Sequence, residues 1–270
     1  MDKIVLKLGT GVLTDQDGTL AATRLARILD EVIPYLRSED QLVLVSSGAV
    51  GLGRVRLGLN GTLSLHEKQM CAAVGQAVLM QYYNMILSKY DFTAGQVLLT
   101  SGDLANGKRR QNLLATLLEM EKHPIIPVIN ENDTISTEEL ELLNDHSFGD
   151  NDRLSALIAA EIKAKLLIML TDIAGIFQDR KSYEKGECLQ HVQDLSLLDR
   201  IETWTGSVHG RGGAMSKISA ARTAVEAGTP CWITSGIVEE QLAQGVQSLV
   251  RGQVPRSGTL ISGGLGLWKK

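Results

Sequence analysis

Lys3-Ile4-Val5-Leu6-Lys7-Leu8-Gly9-Thr10-Gly11 is a run of apolar, partly β-branched residues that passes directly into a glycine-bounded turn. A run without polar alternation fits a strand buried on both faces of a sheet. The same pattern recurs at Leu42 to Val45, Gln96 to Leu99, Ile125 to Ile129, Leu166 to Leu170 and Cys231 to Thr234. Longer segments with helical spacing lie between these runs. Leu25, Ile28, Leu29, Val32, Ile33 and Leu36 mark one, and Val74, Val78, Met85 and Ile86 mark another within Glu67 to Ser88. Strand alternating with helix predicts an α/β protein whose mostly parallel sheet is covered by helices on both faces.

At 270 residues and 44% hydrophobic, the chain can bury a sizeable core, as one large domain or two tightly joined lobes. A formal net charge of −4 gives no long-range attraction for nucleic acid, so an anionic ligand has to be held by a few placed cations. No stretch reaches the ~20 apolar residues of a membrane span. Met1-Asp2-Lys3-Ile4 enters the first strand without the layout of a signal peptide, so the expectation is a cytoplasmic protein with no membrane partner. Cys71, Cys188 and Cys231 are widely spaced and read as reduced thiols, and the five histidines never fall at metal-ligand spacing.

Ligands of an open parallel sheet bind beyond the carboxyl ends of its strands, so the segments after the runs are the candidates for chemistry. Gly9-Thr10-Gly11 follows Leu8, and small residues there let the backbone approach a phosphate. Lys7 strengthens that reading, because a lysine inside a buried strand is costly unless its ammonium meets a charged partner at the strand end. Ser46-Ser47-Gly48-Ala49 follows Val45. Read from Gly51, it misses the dinucleotide fingerprint at Arg56, and no P-loop sequence occurs anywhere in the chain. Asn130-Glu131-Asn132-Asp133 follows Ile129, in a polar loop reaching Asp150 that has the composition of a hinge or lid. Phe148-Gly149-Asp150-Asn151-Asp152 opens a helix with more polar groups than capping requires, a set suited to the ammonium and carboxylate of an amino acid. Gly210-Arg211-Gly212-Gly213-Ala214-Met215-Ser216-Lys217 opens an alanine-rich helix with a lysine one turn in, an arrangement suited to a triphosphate.

Together VLKLGT, VSSGAVGLG, VINENDT, FGDNDRLSAL, LTDIAGIF and GRGGAMSK closely resemble the glutamate 5-kinases of the amino acid kinase family, from Lys3 to about Gly258. The resemblance implies a three-layer α/β/α sandwich with an open, mostly parallel central sheet. It implies ATP-dependent, Mg²⁺-assisted phosphorylation of the γ-carboxylate of glutamate, the first step of proline biosynthesis. It assigns Lys7, Lys217 and Asp152 to catalysis, the lysines flanking the moving phosphoryl group and Asp152 holding them. Ser47, Asp133, Asn151, Asp150 and Asn130 become the glutamate contacts. Lys7, Gly9, Thr171, Asp172 and the stretch Arg211, Gly212, Gly213, Ala214, Met215, Ser216 and Lys217 become the ATP side. An amino acid kinase domain over residues 1–262 is implied, with a substrate lobe to about 165, an ATP lobe from about 166, a short tail over 263–270 and no PUA domain. A homo-oligomer, dimer or tetramer, is implied as well, with a functional link to glutamate-5-semialdehyde dehydrogenase. The chain departs from the family where GTGGM has become GRGGA, at Arg211 and Ala214, and where Ser147 replaces a basic residue before FGDND. Phosphorylation of another acceptor on the same fold, and amino-acid sensing without catalysis, are the alternatives.

Overall fold

The computed structural model describes residues 2–36, 40–135, 150–202 and 211–266, without the side chains of Ser101, Asp150 and Arg211. Among these residues eight strands form one sheet: β1 (Lys3–Leu8), β2 (Gln41–Val45), β3 (Thr93–Leu99), β4 (Ile125–Glu131), β5 (Leu166–Thr171), β6 (His191–Val192), β7 (Cys231–Ser235) and β8 (Thr259–Ile261). Their order across the sheet is β3-β4-β2-β1-β5-β7-β8-β6. Every neighbouring pair is parallel except β7 with β8. All six expected strands are present. The two that were not foreseen, β6 and β8, are only two and three residues long, too short to carry a periodic pattern.

The helices are α1 (Thr10–Leu13), α2 (Ala22–Val32), α3 (Ala49–Arg56), α4 (Leu65–Leu87), α5 (Ser101–Ala105), α6 (Gly107–Met120), α7 (Asp150–Glu161), α8 (Arg180–Lys185), α9 (Arg211–Glu226) and α10 (Gln241–Val250). Alternation along the buried strands sorts the core into two halves. Ile4, Leu6 and Leu8 of β1 join Leu44, Ile168 and Trp232 beneath α1, α2, α4 and α10. Val5 joins Val45, Met169 and Ile233 beneath α6, α7 and α9. The result is the three-layer α/β/α sandwich with helices on both faces. Lys7 shares the parity of Val5, so strand geometry alone turns it toward the α7 and α9 layer.

Two local features shape the helices on one face of the sheet. Pro34 cannot donate into the α2 ladder, and the helix gives way to a 3₁₀ turn over Ile33–Tyr35, short of the apolar periodicity that runs to Leu36. Helix α4 begins with a capping box, in which Ser64 and Glu67 each bond the other's backbone N–H. Helices α3 and α4 then pack backbone to backbone. A Cβ on Gly53 would lie 1.8 Å from the Cys71 carbonyl oxygen, and one on Gly75 would lie 1.8 Å from that of Ala49. Only glycine allows this approach. Gly75→Ala is therefore expected to lower stability by about 3 kcal/mol, the upper part of the range for overpacking a core. Gly51→Ala, whose Cβ meets nothing within 4 Å, is expected to hold or raise it. Urea unfolding of the two variants checks the contrast.

Candidate active site

The carboxyl ends of β1, β2, β4, β5 and β7 gather the candidate residues. Lys7 stands one residue before the end of β1 and is only 5% exposed. The first turn of α7 brings Asp152, 2% exposed, against it, and Lys7 Nζ lies 2.5 Å from Asp152 Oδ1. The other carboxylate oxygen faces α9. Asp152 Oδ2 accepts from Ser216 Oγ at 2.9 Å and from Lys217 Nζ at 3.3 Å. Lys217 Nζ also donates to the Gly213 carbonyl at 3.2 Å, one turn back along its own helix. A single buried carboxylate therefore ties two lysines from distant parts of the chain to one point.

The electrostatics follow from this packing. Burial pulls the Lys7 ammonium below its ordinary range; Asp152 opposes the shift, and the like charge of Lys217 adds to it. Burial by itself would raise the Asp152 carboxyl. Lys7 and then Lys217, with the hydrogen bonds from Lys7 and Ser216, outweigh burial and hold it below the ordinary carboxylate range. Asp152 is thus an anion at neutral pH and is poorly suited to accept a proton in catalysis.

Glycines bring the loops together around this point. A Cβ on Gly9 would lie 3.1 Å from the Leu170 carbonyl oxygen and 3.4 Å from Lys7 Nζ. The Gly9 N–H donates to Leu170, so Gly9 offers a close Cα and no free donor to a phosphate. A Cβ on Gly11 would lie 2.9 Å from Asp172 Oδ2, which fixes the first loop against the end of β5. Thr171 Oγ1 donates to Asp172 Oδ1 at 3.1 Å, and the Thr171 carbonyl accepts from Gly236 N. The loop after β7 is clasped from outside the site. Arg27 of α2 donates to the carbonyls of Gly236, Ile237 and Val238, while its ion-pair partner Glu31 accepts from Ala243 N at the start of α10.

Beyond the end of β2, Gly48 takes a left-handed φ of 87° at the start of α3, a conformation that favours glycine. Ser47, Asn130 and Asp133 are buried at the ends of β2 and β4. Asn130 Oδ1 accepts from Glu131 N, but its buried Nδ2 has no partner among the described residues. The buried Oδ1 of Asn151, in the first turn of α7, has none either. On α9, Ser216 directs its hydroxyl to Asp152, and Met215 packs against the core beneath the helix. Arg211, Gly212, Gly213 and Ala214 form the first turn of that helix, where backbone N–H groups lack intrahelical acceptors. The side chains of Asp150 and Arg211, together with residues 136–149 that include Ser147, Phe148 and Gly149, lie outside the described residues. Tyr83, Gln76, Gly75 and Arg27 escaped the sequence reading. Each sits in a helical run where nothing but its reach across the fold sets it apart.

The sheet thus carries two lysines, joined by one carboxylate, at the carboxyl edge of its parallel strands. The model of the amino acid kinase family matches residues 2–235, and the chain belongs to that family. It is 38% identical over 243 residues to a glutamate 5-kinase of Moorella thermoacetica, an alignment covering 89% of this chain and 63% of the relative. With a glutamate 5-kinase of Neisseria gonorrhoeae it is 37% identical over 265 residues, covering 94% and 86% respectively. With that of Shouchella clausii it is 40% identical over 238 residues, covering 86% and 62%. The chain thus spans less than two thirds of the Moorella and Shouchella relatives. In structure it resembles isopentenyl phosphate kinase with a TM-score of 0.57 at 16% identity, covering 96% of this chain and 99% of that one, a likeness of fold.

Asp152→Asn is expected to destabilise the protein by about 3–5 kcal/mol, since it removes the anion that compensates a buried cation. The pH dependence has a definite sign. Because the folded-state pKa of Asp152 is depressed, its stabilisation is full above the unfolded value of 3.8 and is lost as the pH falls through the folded value. Wild-type stability should therefore decline in that window, and the Asp152→Asn variant should lack this component of the decline. Urea midpoints measured across acidic pH distinguish the two.

Proposed function

We propose that the chain transfers the terminal phosphoryl group of ATP to the side-chain carboxylate of L-glutamate, giving L-glutamyl 5-phosphate and ADP, as the first step of proline biosynthesis. The observation that carries this reading is the convergence of Lys7 and Lys217 on the buried carboxylate of Asp152. Two lysines meet at one buried carboxylate, with Asp172 the other acid whose charge reaches Lys7 among the described residues. Paired ammonium groups are what a transferring phosphoryl group, with its negative oxygens, demands of a site.

The acceptor chemistry agrees. A glutamate side chain with a pKa of about 4.3 is ionised at neutral pH, so the nucleophile needs no general base. One carboxylate oxygen attacks the terminal phosphorus, the bond from phosphorus to the bridging oxygen breaks, and the electron pair leaves with ADP. Lys7 and Lys217 flank the phosphoryl group in flight, and Asp152 fixes their ammonium groups. The orphaned amide atoms Asn130 Nδ2 and Asn151 Oδ1 suit a ligand that has both an acceptor and a donor, as the carboxylate and ammonium of an amino acid do. Ser47, Asp133 and Asp150 complete the glutamate contacts in this reading. Gly9, Thr171, Asp172 and the opening of α9 face ATP.

The described residues hold no group of three or more histidine, cysteine or acidic side chains able to bind a metal ion, and both Asp152 oxygens face lysines. This donor set fits a Mg²⁺ that rides on the nucleotide and takes its ligands mainly from phosphates and water. When bound, Mg²⁺ draws negative charge from the phosphate oxygens. In the same reading the protein works as a homo-oligomer, dimer or tetramer, and the exposed Met70 and Met85 of α4 supply apolar surface for such an interface. No helix among the described residues is long and apolar enough to cross a membrane. We place the protein in the cytoplasm, where its reactive acyl phosphate would pass to glutamate-5-semialdehyde dehydrogenase.

The test is hydroxylamine trapping with ATP and Mg²⁺, run separately on glutamate, acetylglutamate and aspartate. Hydroxamate with glutamate alone is expected. Signal with another acid would move the acceptor assignment, and its absence from a folded protein that binds glutamate would favour a sensor. Lys7→Ala and Lys217→Ala should each lower kcat about 10²- to 10³-fold, the range for losing one preorganised donor. Near-full kcat in either folded variant would remove that lysine from the mechanism.

A further inference from the structure

Helix α4 contributes none of the expected substrate contacts, yet its inner face reaches three backbone segments that carry or adjoin them. We propose that Tyr83 and Gln76 of α4 are positioning residues which set the affinity for the amino-acid acceptor without touching it. The inference rests on the reading of the site given above.

Tyr83 is fully buried, and its hydroxyl lies 2.9 Å from Ser46 Oγ, which is fully buried as well. Ser46 Oγ in turn donates to the Ser47 carbonyl at 3.4 Å. Either hydroxyl can donate in the shorter bond, and when the Ser46 hydrogen turns to the Ser47 carbonyl the Tyr83 proton fills it. Burial pushes the phenol above its ordinary pKa, which keeps that proton in place. A relay therefore runs from α4 to the carbonyl of the serine expected to contact glutamate, and it fixes the Ser47–Gly48 peptide that precedes α3. Two turns earlier on the same helical face, Gln76 Nε2 donates to the Glu131 carbonyl at 3.5 Å and Gln76 Oε1 accepts from Gln96 Nε2 at 3.4 Å. Glu131 is the residue directly after Asn130. Gly75, beside Gln76, brings α4 against the Ala49 carbonyl. Simple core packing needs neither a phenol nor an amide at these buried positions. Both are costly there unless bonded, and here they bond to the immediate neighbourhood of Ser47 and Asn130. The contacts of α4 to the site all fall on the acceptor side, while the loop after β7 is held by Arg27.

The test is steady-state kinetics of Tyr83→Phe and Gln76→Met, variants that preserve volume and remove the polar groups. Each is expected to raise KM for glutamate about 10-fold, which corresponds to about 1.4 kcal/mol. KM for ATP and kcat should stay within about twofold, and melting temperatures are read alongside. A merely structural role would shift both KM values together with the melting temperature. Because Tyr83 acts through Ser46, Tyr83→Phe should add nothing to the KM for glutamate in a Ser46→Ala background. An unchanged KM for glutamate, a parallel rise in both KM values, or an undiminished Tyr83→Phe effect in that background overturns the inference while the wild-type activity stands. A wild type that never turns over glutamate overturns the proposed function, and this inference with it.

Discussion

The carboxylate of Asp152 lies between two ammonium groups, bonded to Lys7 through one oxygen and to Lys217 through the other. Those three residues come from a central strand and from two helices of the layer on one face, so the ion cluster is a joint between layers. A buried charge of this kind is tolerated only when its partners are fixed, and fixing them is also what the proposed phosphoryl transfer would require. Other features of the site follow from that demand. Gly9 has no side chain where the Lys7 ammonium passes, Ser216 offers a hydroxyl to the same carboxylate, and Gly11 lets the first loop close on Asp172.

The two halves of the site are braced from behind by different helices of one layer. On the acceptor side α4 reaches the backbone after β2 and β4, and on the other side α2 uses Arg27 and Glu31 to clasp the loop after β7. Between them stands β1, paired on one edge with β2 and on the other with β5. The phosphoryl group in the proposed reaction crosses at the end of β1, beside Lys7. In the proposed reaction, separate bracing would let the fit for the acceptor and the fit for the nucleotide be tuned independently, while the charge cluster at the centre stays constant.

Much of this was legible in the sequence, for identifiable reasons. Strands buried on both faces leave uninterrupted apolar runs, which is why all six longer strands could be read and the short β6 and β8 could not. Lys7 drew notice because a cation inside such a run has few places to go. The motif around Asp152 marked it as a candidate, whereas its bond to a lysine 65 residues later was visible only in the folded chain. The helical run read from Glu67 begins in the structure at Leu65, behind the capping box of Ser64 and Glu67. Tyr83 and Gln76 were hidden because, in an apolar helical run, an inward polar residue looks the same as an outward one until its partner is known. Gly53 and Gly75 were hidden because two glycines far apart in sequence give no sign that they face each other.

Strand order also governs what happens while the chain is being made. Strands β1 to β4 are complete at Glu131, but the partner for the second edge of β1 starts at Leu166, 35 residues later. At about 5–20 residues per second, translation leaves that edge uncovered for about 2–7 seconds. During this interval the nascent half-sheet presents an apolar strand with open backbone groups, the feature that recruits foreign strands. Asp152, which meets Lys7 in the folded chain, is made within the same interval, ahead of Leu166 and so before the second edge of β1 is covered. A cation near the end of an unpaired strand discourages self-association, the device by which natural sheets blunt their edges.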